Sequence, residues 1–376
     1  MQIYAMHWMP WMDLPENFGK THDSAMLNVP NSYYDPVKGG DLFNEWLDLL
    51  EYCEELGFDG VCYNEHRQWP HAHVPAVNII SAALMRRTKK LKLAPIGHVL
   101  PSYHPVQLAE EIAMLDVISR GRIIVGVAKG IGAEFYARNI TPADAREMFD
   151  EQMDILIRAW TEREPFAYDG KFYQLPAVNI WPRPLTQPHP PVWVPTIGTP
   201  GTSKWAAKHR YPIIKGFDSD AGIGRVFDFY RKCAEEYGYR VPPEQIGLSK
   251  HVYIADTDAE AEKRGTPHFE YTLRDLMKAT PEHFFPPGNV PVPMWERALG
   301  MLKDWDELPM SEFNRRGDLL MGSPETVIEH LSESHRKLDY GIIVVTLSMD
   351  KMNYAESKQN FERFAREVMP ALRKLG

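Results

Sequence analysis

Ile123-Ile124-Val125-Gly126-Val127-Ala128-Lys129-Gly130 is the stretch that decides the fold. Its first five residues are apolar without alternation. A strand built from them is buried on both faces, as in a parallel sheet covered by helices. The run then stops at a lysine and a glycine. The residues before it read as a helix. Pro105 opens that helix, Val106, Leu108, Ile112, Leu115 and Ile118 supply its packing face, and Ser119-Arg120-Gly121 closes it. The same unit recurs along the chain. Candidate strands are 3–8, 60–64, 92–98, 122–127, 192–197, 212–216, 247–254 and 341–347. Such units, joined by crossover helices, close a (β/α)8 TIM barrel.

The intervening segments support this reading. Residues 42–56 place Phe43, Trp46, Leu47, Leu50 and Cys53 on one helical face, and Gly57 ends the helix. Segments 221–237 and 354–375 behave alike. Three stretches exceed a minimal barrel. Residues 17–40 are polar with Gly and Pro and read as a loop over one end. Residues 168–190 hold a hairpin turn at Asp169-Gly170 and then a proline-rich connection. Residues 265–317 read as irregular, with a turn cluster at Pro286-Pro287-Gly288-Asn289. A boundary near 184–191 would leave half a barrel on each side, so one domain over 1–376 with three insertions is expected.

Composition bounds the function. The net charge of -9 comes with no basic stripe, and the short run Arg86-Arg87-Thr88-Lys89-Lys90 reads as a solvated helix end, so nucleic acid is not an expected partner. Cys53, Cys62 and Cys233 are too few and scattered for a disulfide framework or zinc site. With no leader-like N-terminus and no apolar run long enough for a membrane, a cytoplasmic protein is expected.

Barrel enzymes carry their sites at the C-terminal strand ends. Here those ends read Tyr63-Asn64-Glu65-His66, Ile96-Gly97-His98, Ala128-Lys129-Gly130 and Thr196-Ile197-Gly198. Glycines there let backbone approach a ligand, and a lysine there can meet a phosphate. Asn64-Glu65-His66, the block 99–105 followed by 115–122, and the turn 196–202 followed by Trp205-Ala206-Ala207 occur in order over about the first 215 residues. Together they resemble the bacterial-luciferase-like flavin-dependent monooxygenases.

The resemblance implies a two-component enzyme. It would use reduced FMN from a separate reductase and O2 to oxygenate a small organic substrate through a flavin C4a-(hydro)peroxide. It implies that His66 is catalytic and that Lys129 and Arg146 hold the FMN phosphate. Ile131, Ile197, Gly198 and Thr202 would complete the cofactor contacts, with Ile96-Gly97 at a position where the family often has a cis peptide against the ring. Lysine in place of the family's arginine keeps the charge and loses the bidentate fork. Trp8, Trp11, Tyr63 and Phe217 are candidates for an apolar substrate wall by position alone. The apolar helices around 77–85 and 106–118 point to a homodimer.

Blander readings stand beside these. His66, His98, His71 and His73 can each be structural histidines, Lys129 a solvated loop lysine and Arg146 an exposed helix residue. The aromatics can be core. Gly126, Gly130 and Gly132 have neither Rossmann nor P-loop spacing. A deazaflavin (F420)-dependent oxidoreductase of the same fold, a metal-dependent barrel hydrolase using His71 and His73, and a non-catalytic flavin-binding protein are the alternatives.

Overall fold

The computed structural model describes residues 1–290 and 292–375. Pro291, inside the third expected insertion, and Gly376 lie outside the described residues. The strands are β1 (Gln2–His7), β2 (Gly60–Tyr63), β3 (Lys92–Pro95), β4 (His98–Val99), β5 (Val125–Ala128), β6 (Phe166–Asp169), β7 (Gln174–Val178), β8 (Val192–Thr196), β9 (Ile213–Lys215), β10 (Ile246–Ile254), β11 (Leu319–Gly322) and β12 (Ile342–Thr346).

The barrel strands pair in parallel in the order β3-β2-β1-β12-β10-β9-β8-β5-β4. The two ends of that path, β3 and β4, are one strand interrupted at the cis Ile96–Gly97 bond. A bridge between Leu93 and Ile123 helps join the path's ends. The result is the (β/α)8 barrel, and every barrel strand expected from the sequence is present. Gly97 and Gly126 meet at this seam. A Cβ on Gly97 would lie 2.8 Å from the Gly126 carbonyl carbon, and one on Gly126 would lie 2.3 Å from Pro95 O. Only glycine permits that backbone contact.

Successive side chains of a strand face opposite ways. Tyr4, Met6, Cys62, Ala94, Ile96, Ile124, Trp193, Ile214, Ile342 and Val344 fill the barrel interior. Their neighbours Ile3, Ala5, Val61, Leu93, Val125 and Ile343 pack against the helical layer. A third apolar cluster, including Phe18, Trp69, Phe269, Leu273, Trp305 and Phe313, sits over the mouth.

The insertions differ in detail from expectation. The helix Pro36–Leu56 begins six residues before position 42, because Asp35 caps it by accepting the Val37 N–H at 2.8 Å and Pro36 takes the first helical position. The loop expected over 17–40 is correspondingly shorter. Strands β6 and β7 form the expected hairpin. The stretch 265–317 is mostly helical rather than irregular, with Asp258–Tyr271, Thr272–Leu276, Val292–Glu307 and Met310–Arg316 forming a cap. Beyond it, β11 pairs with β10, an extra strand that the sequence reading did not include.

Candidate active site

His66 stands directly after β2, with its side chain 19% exposed at the mouth. Its Nδ1 lies 2.6 Å from Oε1 of Glu134, which is buried. The other carboxylate oxygen of Glu134 accepts the Ile131 N–H at 2.7 Å. Glu134 therefore ties the imidazole to the loop that leaves β5. Against an ionised carboxylate, which only accepts, Nδ1 would be the donor and Nε2 would stay open to a ligand. Trp69 packs edge-on to the imidazole at 4.6 Å. Sequence reasoning missed Glu134. Its place in the first turn of the helix Gly132–Ala137 is a readable capping position, but its contact with a histidine 68 residues earlier is not.

Glu65, the residue before His66, neither orients the imidazole nor faces solvent. It is buried, forms an ion pair with Arg67, accepts the Tyr103 hydroxyl, and receives the Val99 N–H at 3.3 Å. Burial raises its carboxyl pKa despite Arg67 alongside.

Lys129 follows β5. Its Nζ donates to Asn289 Oδ1 at 2.6 Å, and Asn289 in turn donates to Pro142 O. Burial, reinforced by the charge of Arg146, pushes the Lys129 ammonium down to about 8. Arg146 spans between Phe149 and Trp205, its guanidinium 5.7 Å from the Trp205 ring centre. Trp205 belongs to the helix Pro200–His209, which follows the turn Ile197-Gly198-Thr199. Gly198 has φ 97°, and Thr199 Oγ1 donates to Thr202 Oγ1 at 2.7 Å. Lys129 and Arg146 thus lie near enough for their charges to interact, with Arg146 also paired to Asp150 at 3.0 Å, and two neighbouring cations can meet a phosphate. Ile197 is 53% exposed, an apolar side chain open at the mouth.

The aromatic candidates separate. Trp8 continues the inward series Tyr4, Met6 and lies over the barrel. Its ring is 6.3 Å from His66, 4.8 Å from His71, 6.3 Å from His251 and 5.2 Å from Phe217. Trp11 and Tyr63 do not join this group. Trp11 packs on Tyr34 at 4.6 Å, and the Tyr63 hydroxyl, on the outward face of β2, bonds Ser81 Oγ at 2.6 Å. Asn64, the inward neighbour of Tyr63, is buried with both amide atoms unpartnered, as is the Trp8 indole nitrogen. Such atoms mark places where a bound molecule or water completes the bonding.

The other histidines divide as well. His98 is buried between Gly126 O at 3.0 Å and Asn78 Oδ1 at 2.8 Å. His71 faces Asp350 at 3.1 Å. His73 is enclosed by Trp11, Tyr34, Phe43 and Trp46, where burial pushes its pKa down to about 4. The His71 and His73 rings thus have separate surroundings and do not form a pincer. No helix among the described residues is long and apolar enough to cross a membrane.

Residues 12–339 match the family model described as luciferase-like monooxygenase. The chain belongs to the luciferase-like monooxygenase family. As a member it is an oxidoreductase of the flavin-dependent monooxygenase class. It is 29% identical over 365 residues to 2,5-diketocamphane 1,2-monooxygenase 1 of Pseudomonas putida, covering 88% of this chain and 94% of that protein. It is 27% identical over 226 residues to the oxygenase component of a flavin-dependent trigonelline monooxygenase of Acinetobacter baylyi, covering 59% of this chain and 62% of that one. The oxygenating constituent of 3,6-diketocamphane monooxygenase from Pseudomonas putida, solved in complex with FMN, shares the fold with a TM-score of 0.73 at 22% identity, over 99% of this chain and 98% of that one.

Proposed function

We propose that this luciferase-like monooxygenase is the oxygenase of a two-component system, taking reduced FMN from a separate reductase and using O2 to oxygenate a small organic substrate. The observation that carries the reading is the pair His66–Glu134, anchored to the same loop that presents Lys129. Bound reduced FMN supplies the electrons that activate O2. Lys129, Arg146 and the first turn of Pro200–His209, with Thr202, would hold its phosphate. Gly198 keeps that turn tight, while Ile96, Gly97, Ile131 and Ile197 would give the ring an apolar setting.

His66 would hold or release a proton at Nε2 while Glu134 keeps Nδ1 protonated and the ring fixed. Trp8 and Phe217, with the cap above them, would exclude water from the reacting centre. The trigonelline relative, an oxygenase component, and the FMN complex of the structural neighbour support the separate reductase and the choice of FMN. The deazaflavin alternative is separated by the mass of the bound cofactor.

A homodimer is part of the same reading. Ile79 on the helix Val77–Arg87 and Met114, Val117 and Ile118 on the helix Pro105–Ser119 are all exposed, on two outer helices that pack together. Such a patch is suited to a second copy. The three cysteines are free and buried, which accords with a cytoplasmic setting.

The test is a substrate screen with supplied reduced FMN and O2, following product and hydrogen peroxide together. Oxygenated product that requires both reagents is expected. Product formed without flavin, or by hydrolysis, would overturn the reading.

A further inference from the structure

Between the ends of β9 and β10 and the helical cap lies an apolar cavity of about 30 Å³. Phe217, Phe269, Leu273, Trp305, Phe313 and Leu319 supply most of its wall. Three polar side chains also reach it. Thr272 already donates to His268 O at 3.0 Å. Asp318 is ion-paired with Arg316 at 3.1 Å. His251 differs, for it is 7% exposed and its Nε2 is buried without a partner. It takes the inward position on β10, next to the outward Lys250, and packs on Phe217 at 4.9 Å and Trp8 at 6.3 Å.

We propose that this cavity receives the hydrocarbon body of an uncharged substrate and that His251 hydrogen-bonds the substrate's polar group, one indole ring away from His66. The inference rests on the reading of the barrel mouth as an oxygenation site and names the substrate class for it. Burial pushes the His251 imidazole down to about 4, so near neutral pH it recognises a partner without charge. The wall offers no cation to a carboxylate, and its one acid, Asp318, is ion-paired with Arg316, so a carboxylate would be stranded there. The void itself holds little more than a water. Met277, Met310 and Met321 belong to the surrounding cluster, and unbranched thioethers re-pack readily to admit something larger.

The test uses three probes of one shape: cyclopentanone, methylenecyclopentane and cyclopentanecarboxylate. Their dissociation constants are measured by ligand-observed NMR on the whole protein without added flavin. The ketone should bind about threefold to tenfold more tightly than the alkene, the yield of one net hydrogen bond, and the carboxylate should bind least. His251→Leu should abolish the ketone's advantage and keep alkene binding, while His251→Gln should retain part of it. Leu273→Trp, which fills the cavity and leaves His251 in place, should weaken both neutral probes. A carboxylate that binds as tightly as the ketone overturns the proposal. So does a ketone preference that survives His251→Leu, or binding unchanged by Leu273→Trp. A separate FMN titration distinguishes the two failures, since loss of FMN binding overturns the cofactor reading and leaves the probe result standing.

Discussion

Glu134→Gln removes one charge and almost no volume. Glu134 is 1% exposed, so water does not replace what the carboxylate supplied. Its oxygens accept from His66 at 2.6 Å and from Ile131 at 2.7 Å. A glutamine that keeps its carbonyl on the Ile131 N–H turns its NH2 toward His66 Nδ1, which must then accept. The imidazole proton should move to Nε2, the nitrogen that the proposed proton exchange needs free. If the ring merely exchanges a charge-assisted bond of about 1.5–3 kcal/mol for a neutral one of about 0.5–1.5 kcal/mol, the loss is about fivefold to tenfold. If the tautomer change disables proton exchange altogether, the loss reaches about 10²–10⁴-fold. Product formed per reduced FMN, with hydrogen peroxide counted in parallel and FMN affinity measured separately, reads the effect. Lower coupling with unchanged FMN affinity is expected. Coupling equal to the parent's would show that the pair only packs the loop, and the reasoning would fail.

Lys129→Ala should weaken FMN binding by about tenfold or more, since a charge-assisted phosphate contact is worth about 1.5–3 kcal/mol; equal affinity for FMN and riboflavin in the parent would place the phosphate elsewhere. The ammonium of Lys129 is the binding form, and its pKa lies at about 8 in the free protein, so FMN affinity should fall as pH rises through that value. Lys129→Arg should remove the decline, and a decline that persists in it would assign the titration to another group. Ile79→Glu combined with Met114→Glu should convert a dimer to particles near the 43.3 kDa chain mass, as read by light scattering; a parent already at that mass removes the claim. Tyr63→Phe should cost about 0.5–1.5 kcal/mol in urea unfolding, through the lost bond to Ser81, and leave oxygenation unchanged; a selective activity loss would put Tyr63 back in the pocket.

The barrel was legible because buried parallel strands write themselves as continuous apolar runs, such as Ile123–Val127 and Ile342–Val345. The candidate site was legible as far as strand-end residues carry it, since His66, Lys129 and the turn at Gly198 each follow a barrel strand. The rest depends on contacts through space. Glu134 reaches His66 across 68 residues, and Asn289 reaches Lys129 across 160. His251 reads as one residue within an apolar strand, and only the closing of the barrel turns it toward Trp8. Tyr63 shows the converse, since one step along β2 separates its outward ring from the inward Asn64, and strand-end position alone does not fix which face a residue takes. The cap went unread because Pro286-Pro287-Gly288-Asn289 signals a turn and masks the helices around it.

The most direct measurement of the central claim is the fate of O2 in His66→Ala. Reduced FMN and O2 are supplied with a substrate identified by the screen, and product and hydrogen peroxide are both quantified per flavin oxidised. The account predicts that the variant folds, binds FMN nearly as the parent does, and still consumes reduced flavin. Product should fall by about 10²–10⁴-fold while peroxide accounts for the difference. A variant that couples O2 to product as well as the parent would contradict the account and make His66 a structural residue.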